Sequence, residues 1–513
     1  MKTDKSILLR IVILVVAIAL EILLTISIIH WLADKAEWIE IVIRILSVLI
    51  VLTIVKNSKH LSMDVVWIIV IVLTPIPGTI AYLLLGADLI SSRTYNSIKS
   101  ETEKAKAHYI QDESVKDEIK SRGGDLATQF NYIADSEGFS FYRNESFDYY
   151  GLGEEGYPYM LEEMKKAKKF IFIEYFIIDK GKLWDSFLEI LKEKVAEGVE
   201  VRVMYDDIGS MFTLNQHYAE TLEKQGIKCI TFNKVSPILN IIVNHRDHRK
   251  IMVIDGKVAF SGGINLADEY INEKELFGKW KDNIIRVKGD AVWSFTVMFL
   301  THWNALRHED DDYTKFKADP ALIKAAEAPA AYDGYISPYG ETPLDNENMA
   351  QDIYMSIINN AKKYCYISSP YLIIDSDFVN CLILAAKSGV DVRIVTPGVP
   401  DKKFTYAVTS SYFYQLIEGG VKIYSYTPGF NHAKVFVSDD IVATVGTVNL
   451  DYRSLYLHFE NGAYLYDSEK VKDVKADLDS MIEESHEITL KESKRGPVQE
   501  FFDCVLRLLA PLM

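Results

Sequence analysis

The sequence predicts a membrane-anchored α/β protein in which one α/β unit occurs twice in tandem behind an apolar N-terminus. Three observations carry this expectation. A polar motif occurs twice, as His248-x-Lys250-x4-Asp255 and His432-x-Lys434-x4-Asp439. At the same spacing, the copies are followed by Gly262-Gly263-x-Asn265 and Gly446-Thr447-x-Asn449. Stretches around the motifs repeat too, and the chain opens with long apolar runs that lift its mean hydropathy to +0.03. At 513 residues the chain exceeds what one core organises, so two or three domains are expected.

Taken in order, residues 11–29 are apolar except for Glu21 and Thr25, long enough to cross a bilayer. No small-residue cleavage site follows, so a retained anchor is expected rather than a signal peptide. Residues 38–55 predict a second span, in which Glu40 and Arg44 lie four apart and can pair on one helix face. The short link between the spans implies a hairpin. Lys2, Lys5 and Arg10 precede it, Lys56 and Lys59 follow it, and only Lys35 lies in the link, which places both ends in the cytoplasm. Residues 65–85 form a third apolar run, broken by Pro75, Pro77 and Gly78, and are expected to form a re-entrant or interfacial helical hairpin. A charged, helix-compatible connector follows at 91–120. Gly151-x-Gly153-x-x-Gly156 has the spacing of a dinucleotide fingerprint, but Glu154 and Glu155 would repel a pyrophosphate, so a turn before a helix over 159–168 is expected instead.

The repeat then becomes explicit. Residues 167–173 match 361–367, 175–179 match 371–375, 197–203 match 388–394, and 226–228 match 420–422. Each copy reads strand, helix, strand, helix, strand and then the motif strand, which predicts a sheet covered by helices on both faces. The expected divisions are an N-terminal transmembrane hairpin at 1–60, a hydrophobic segment and connector at 61–120, a first unit at 121–307, a linker at 308–331, a second unit at 332–490 and an amphipathic tail at 491–513. The tail carries Val498, Phe501, Phe502, Val505, Leu508 and Leu509 at helical spacing after Pro497. Such a stripe is expected to face a core, with docking on lipid as the other reading.

A net charge of −16 argues against a general nucleic-acid binder. An anionic substrate must then meet a local cationic site, for which His245, Arg246, Arg249 and Lys250 are the candidates. Cys229, Cys365, Cys381 and Cys504 are scattered and read as reduced thiols. Within each motif the alternation after Lys is strand-like, so His and Lys share a face. That pairs a nucleophile or proton carrier with a fixed cation, as phosphoryl chemistry requires.

These duplicated motifs are those of the phospholipase D superfamily. Nearly end to end, the chain resembles its bacterial cardiolipin synthases. The resemblance implies two units related by a pseudo-twofold axis around one shared site. It also implies phosphatidyl transfer between two phosphatidylglycerol molecules at a bilayer, giving cardiolipin and glycerol. A covalent phosphohistidine would form on His248, with His432 as general acid and base. Lys250, Lys434, Asn265 and Asn449 would hold the phosphate. Thr447 would add a hydroxyl that Gly263 lacks in the first copy. Asp255 and Asp439 complete the catalytic motifs and are expected to brace the strands more than react. Of the carboxylates that orient the histidines, Asp282 is assigned to His248 and Glu460 to His432. The motifs require no metal or cofactor, and contact between copies through the membrane helices would permit a homo-oligomer. The alternative activity is a membrane-bound phospholipase D that releases phosphatidic acid.

Overall fold

The computed structural model describes residues 37–58, 61–83, 93–234, 245–310, 312–318, 333–345 and 347–512, together with Leu23 and Ser27. The expected first span at 11–29 therefore lies outside the described residues, save for those two positions. Among the described residues, no helix is long and apolar enough to cross a membrane. The stretch expected as a second span falls on the helix Glu37–Asn57, which leaves Ile41, Ile45, Val48, Leu49 and Leu52 exposed. The third apolar run breaks at Thr74 into helices Leu61–Leu73 and Pro75–Ala81. They fold back on each other. Gly78 permits it, because a β-carbon there would lie 2.4 Å from Val70 O. Ser47 Oγ hydrogen-bonds Thr79 Oγ1 at 2.8 Å, tying the longer helix to this hairpin.

Two mixed sheets form the globular part. The first has seven strands, in the spatial order Ser146–Tyr150, Ile284–Lys288, Val258–Gly262, Lys250–Ile254, Phe170–Tyr175, Glu200–Asp206, Lys228–Phe232. The second has nine, with Val435–Ser438 between Val442–Gly446 and Tyr364–Ser368. In both, the motif strand runs antiparallel to the strand that opens the repeat and pairs with the next strand as a hairpin. The repeat thus predicts the parallel half of each sheet, and the motif strand begins the antiparallel half.

Strand alternation sets the layers. Ile171, Ile173 and Met252 pack outward against helices Gly153–Lys166 and Lys182–Ala196, through Met160, Met164, Trp184 and Phe187. Phe172, Ile251 and Val253 point the other way, into a core shared with Val435, Val437 and Leu465 of the second sheet. Helices Val292–Arg307 and Lys470–Glu483 fill that central layer. The far face of the second sheet is covered by Met349–Asn360 and Ser376–Lys387. The order is helix, sheet, helix, sheet, helix, and the shared middle layer locks the units together.

Several boundaries differ from expectation. Val115, Ile119, Phe130 and Phe141 pack in the core of the second sheet, and Tyr142–Arg143 pairs with Tyr335–Glu341 there. The connector thus serves the second unit before the chain enters the first. The decoy glycines lie at the start of a helix that begins at Gly153, six residues earlier than expected. A β-carbon at Gly153 would lie 2.0 Å from Tyr270 O, so close packing explains it. The C-terminal helix Pro497–Leu509 presents Val498, Phe501 and Phe502 to solvent at 73%, 65% and 56% exposure. The core-facing expectation is wrong for this stripe, since the polar face packs inward, with Asp503 buried and Arg507 on Ser411. All four cysteines are free.

Asp255 and Asp439 sit at the far ends of their motif strands in left-handed turns, at φ 54° and 56°. The Asp255 carboxylate accepts from the N–H groups of Lys168, Lys169 and Phe170 at 2.7–2.9 Å. Asp439 does the same for Lys362, Lys363 and Tyr364 at 2.6–2.9 Å. They cap the opening strand of each repeat and do not approach the histidines. Asp255→Ala and Asp439→Ala are each expected to lower the unfolding free energy by roughly 2–4 kcal/mol, measured by denaturant titration.

Candidate active site

Each motif histidine enters the site on a strand segment that pairs with the opposite unit. His248 N–H donates to Phe459 O at 2.9 Å, and Phe459 N–H donates to Arg246 O at 2.9 Å. In the mirror position, Gly429–Asn431 pairs with Lys279–Lys281, and His432 N–H donates to Lys281 O at 2.7 Å. The residues that follow these partners are Glu460 and Asp282. Consequently the carboxylates cross over. His248 Nδ1 lies 2.8 and 2.9 Å from the two Glu460 oxygens, and His432 Nδ1 lies 2.6 Å from Asp282 Oδ2. This corrects the assignment of Asp282 to His248 and Glu460 to His432. Each acid is sequential to its own motif but spatial to the other, because the strand carrying it crosses the interface.

Both histidines are buried, at 7% and 8% exposure. Burial, followed by Lys250 and Lys434, pushes both imidazoles well below the ordinary value. Neutral rings whose Nδ1–H donates to a carboxylate leave Nε2 free to accept. The lysines are buried as well. Lys250 Nζ donates to His248 O at 2.9 Å, and Lys434 Nζ reaches His432 O and lies 2.8 Å from its Nδ1. Burial lowers Lys250 to about 8 and Lys434 to about 7. Asp282 is raised by burial to about 6, against the pull of Lys434.

The remaining sequence-predicted residues divide. Asn265 is near the site, but its Oδ1 accepts from Ile177 N–H and its Nδ2 donates to Tyr270 OH at 2.8 Å. Asn449 is buried with its Oδ1 unpartnered. Thr447, expected on the phosphate, donates instead to Glu460, and its Oγ1 accepts from Asn461 N–H at 3.0 Å. Its mirror must be glycine, since a β-carbon at Gly263 would lie 1.9 Å from Asp282 Oδ1. The run expected to capture an anion is largely structural. Arg246 pairs with Asp206 at 3.0 Å, His245 Nδ1 lies 3.0 Å from Leu457 O, and Arg249 is buried near Asp247 and Glu174. Only Lys250 of that run reaches the histidines.

Three features were not anticipated. Glu174, Asp247 and His302 form a fully buried cluster behind His248, with His302 Nδ1 3.1 Å from Glu174. Burial and Asp247 raise Glu174 well above its ordinary value. Burial also pushes Asp247 upward, but His302 and Arg249 outweigh it and hold that carboxylate low. A glutamate inside the apolar strand Phe170–Tyr175 was the available signal. The ring of His458 lies 5.7 Å from that of His248, tilted by 42°, and Arg453 stands in the short helix Tyr452–Tyr456 just before it. His248, His458 and Glu460 bring possible metal-ligand atoms within 4.8 Å of one another, as do the three residues of the buried cluster. Lys250 and Lys434 beside the first set, and Arg249 beside the second, oppose a further cation.

The family model described as "Cardiolipin synthase, PLD-like domain" matches residues 160–292 and 354–482, one copy per sheet. A second model, "Phospholipase_D-nuclease N-terminal", matches residues 45–86. The chain belongs to the cardiolipin synthase family of phospholipase D-like proteins. A cardiolipin synthase of Halalkalibacterium halodurans is 32% identical over 93% of this chain and 96% of its own length. An uncharacterised protein of Streptococcus mutans is 42% identical over 90% of this chain and 99% of its own. The crystal structure of phosphatidylserine synthase from Haemophilus influenzae has the same fold, with a TM-score of 0.57 at 14% identity. The match covers 75% of this chain and all of that one.

The two titrating limbs set the pH profile. If the lysines hold a phosphate they must be charged to do so, and kcat/KM should then fall as pH rises through about 7–8. Protonation of Asp282 removes a carboxylate from His432, so activity should also fall below about 6. A bound phosphodiester favours the charged lysines, which moves the alkaline limb of kcat upward. A profile flat between about pH 5 and pH 9 would contradict this assignment.

Proposed function

We propose that this chain is a cardiolipin synthase that moves a phosphatidyl group from one phosphatidylglycerol to another. The observation that carries the reading is the pair of buried histidines, each braced by a carboxylate of the opposite unit, in a chain of this family. His248 Nε2 attacks phosphorus, forming the N–P bond as the P–O bond to glycerol breaks. His432 gives its proton to the departing oxygen. It then takes the proton of the acceptor hydroxyl, whose oxygen forms a new P–O bond as the N–P bond breaks. The substrate's charge offsets the lysines that depress His432, so the ring can hold its proton when needed. Lys250 and Lys434 stabilise the equatorial oxygens, with the amides of Asn265 and Asn449 alongside.

The N-terminal region holds this site at a bilayer. The matched N-terminal family model, the exposed apolar side chains of Glu37–Asn57 and the folded-back hairpin support that reading. So does the apolar face of Pro497–Leu509, whose continuation Ala510–Leu512 touches the helix Leu61–Leu73. The flanking lysines support a cytoplasmic position for the catalytic units. Retained spans in 1–60 would also offer a surface for a homo-oligomer.

The test is a product assay with phosphatidylglycerol as the only lipid in mixed micelles. Cardiolipin and free glycerol are the expected products, whereas phosphatidic acid as main product would make the protein a hydrolase. His248→Ala and His432→Ala should each lower turnover by about 10³-fold or more while the protein stays folded. Activity should survive EDTA, and a loss reversed by one divalent ion would instead place a metal among His248, His458 and Glu460.

A further inference from the structure

Joining two phosphatidylglycerols requires two anion sites. The reacting phosphorus lies between the histidines and their lysines. The acceptor's own phosphodiester does not react, yet it must lie one glycerol away from the bond being made. Two cations outside the motifs are placed for it.

Arg453 is half-buried in the helix Tyr452–Tyr456, four residues after the motif residue Asn449. Among the described residues it has no hydrogen-bond or ion-pair partner for its side chain. Burial pushes its guanidinium below its ordinary value, with Asp451 opposing. A desolvated guanidinium without a partner is destabilising, so an anionic ligand would complete it. Its carbonyl accepts the N–H of His458 at 2.8 Å. His458 is 8% exposed, neither of its ring nitrogens has a hydrogen-bond partner, and its ring lies 5.7 Å from that of His248. Close to His248 there are thus a guanidinium without a partner among the described residues and an imidazole whose Nδ1 lies 3.8 Å from Glu460 Oε1.

Lys402 is the second cation. It is exposed, precedes the helix Lys403–Ser411 and lies 5.9 Å from the ring of Tyr371, whose hydroxyl donates to Asp401 at 2.8 Å. No ion pair engages its ammonium among the described residues. Its charge acts on His432 and on Asp451, and Asp451 also senses Arg453. Both cations thus act on Asp451, two residues after the motif residue Asn449. The first unit does not repeat this. Four residues after Asn265 stands Glu269, which shares Lys274 with Asp179 at 3.8 and 4.0 Å. This position is cationic in the second unit, and its pseudo-symmetric counterpart is acidic.

We propose that Arg453 and Lys402 form the subsite for the unreacting phosphate of the acceptor lipid, with His458 as its buried hydrogen-bonding neighbour. The assignment rests on the phosphatidyl-transfer reading above. It makes these residues positioning groups that set the choice of acceptor, separate from the groups that act on the reacting phosphorus.

Two reactions separate the roles. Cardiolipin formation needs an acceptor with a phosphate. Exchange of labelled free glycerol into phosphatidylglycerol uses the same donor chemistry with an uncharged acceptor. Purified full-length protein in phosphatidylglycerol micelles is assayed for both. Arg453→Gln should lose about tenfold or more in cardiolipin formation relative to exchange. Lys402→Gln, at an exposed position, should show a smaller loss in the same direction, and Arg453→Lys should recover part of the activity. Equal losses in both reactions, or no loss in either, would overturn the subsite alone. Wild-type protein that exchanges glycerol but makes no cardiolipin would overturn the transfer reading and the subsite with it.

Discussion

The site depends on two short backbone pairings across the interface between the units. Phe459 bonds to the segment Arg246–His248, and Lys279–Lys281 pairs with Gly429–Asn431. Through them each histidine is delivered to a carboxylate from the other half. Neither unit could orient its own histidine, so the active site exists only when the two halves are docked. The shared central core, with Val292–Arg307 and Lys470–Glu483 between the sheets, packs the two halves against each other. Asn461 reinforces it, accepting from Lys250 N–H at 3.1 Å and donating to Ser261 at 2.7 Å across the same boundary.

Much of this was legible in the sequence, and the limits have physical causes. Two motifs with identical spacing imply two strands with equivalent ends, and the repeated segments placed the sheet and helix order. Asp282 and Glu460 were identifiable as acids after each motif. Their crossing was not, because sequence proximity favours the nearer histidine, and only the inter-unit pairing reverses it. Thr447 shows the same limit. A hydroxyl after the motif glycine suggests a phosphate ligand, but the pairing of Val442–Gly446 with Glu460–Tyr466 inside the second unit brings Glu460 within its reach first. The cationic run from His245 to Lys250 was misread because charge in sequence does not reveal which groups are already paired in the fold. Asp206 lies 40 residues before Arg246 and holds it at 3.0 Å. The C-terminal stripe was misread for a related reason. Its helical spacing is real, but periodicity defines a face without saying what that face meets.

The duplication is not symmetric, and the asymmetry bears on how the two histidines divide their work. Beneath His248 the first unit buries Glu174, Asp247 and His302, with Arg249 close by. At the positions matching Glu174, Asp247 and Arg249 the second unit carries Ser368, Asn431 and Ala433. There Asn431 Nδ2 bonds Ser368 Oγ at 2.9 Å and Val395 O at 3.0 Å, so the network is neutral. His248 therefore senses the nearby Asp247 carboxylate in addition to Glu460, whereas His432 senses a neutral amide, Asp282 and the ammonium of Lys402. Negative charge behind an imidazole makes its free nitrogen more electron-rich, and positive charge before it eases the release of a proton. The first suits a nucleophile and the second a proton donor. The same two motifs thus hold equivalent side chains in unequal fields, a difference consistent with the proposal that His248 carries the phosphatidyl group.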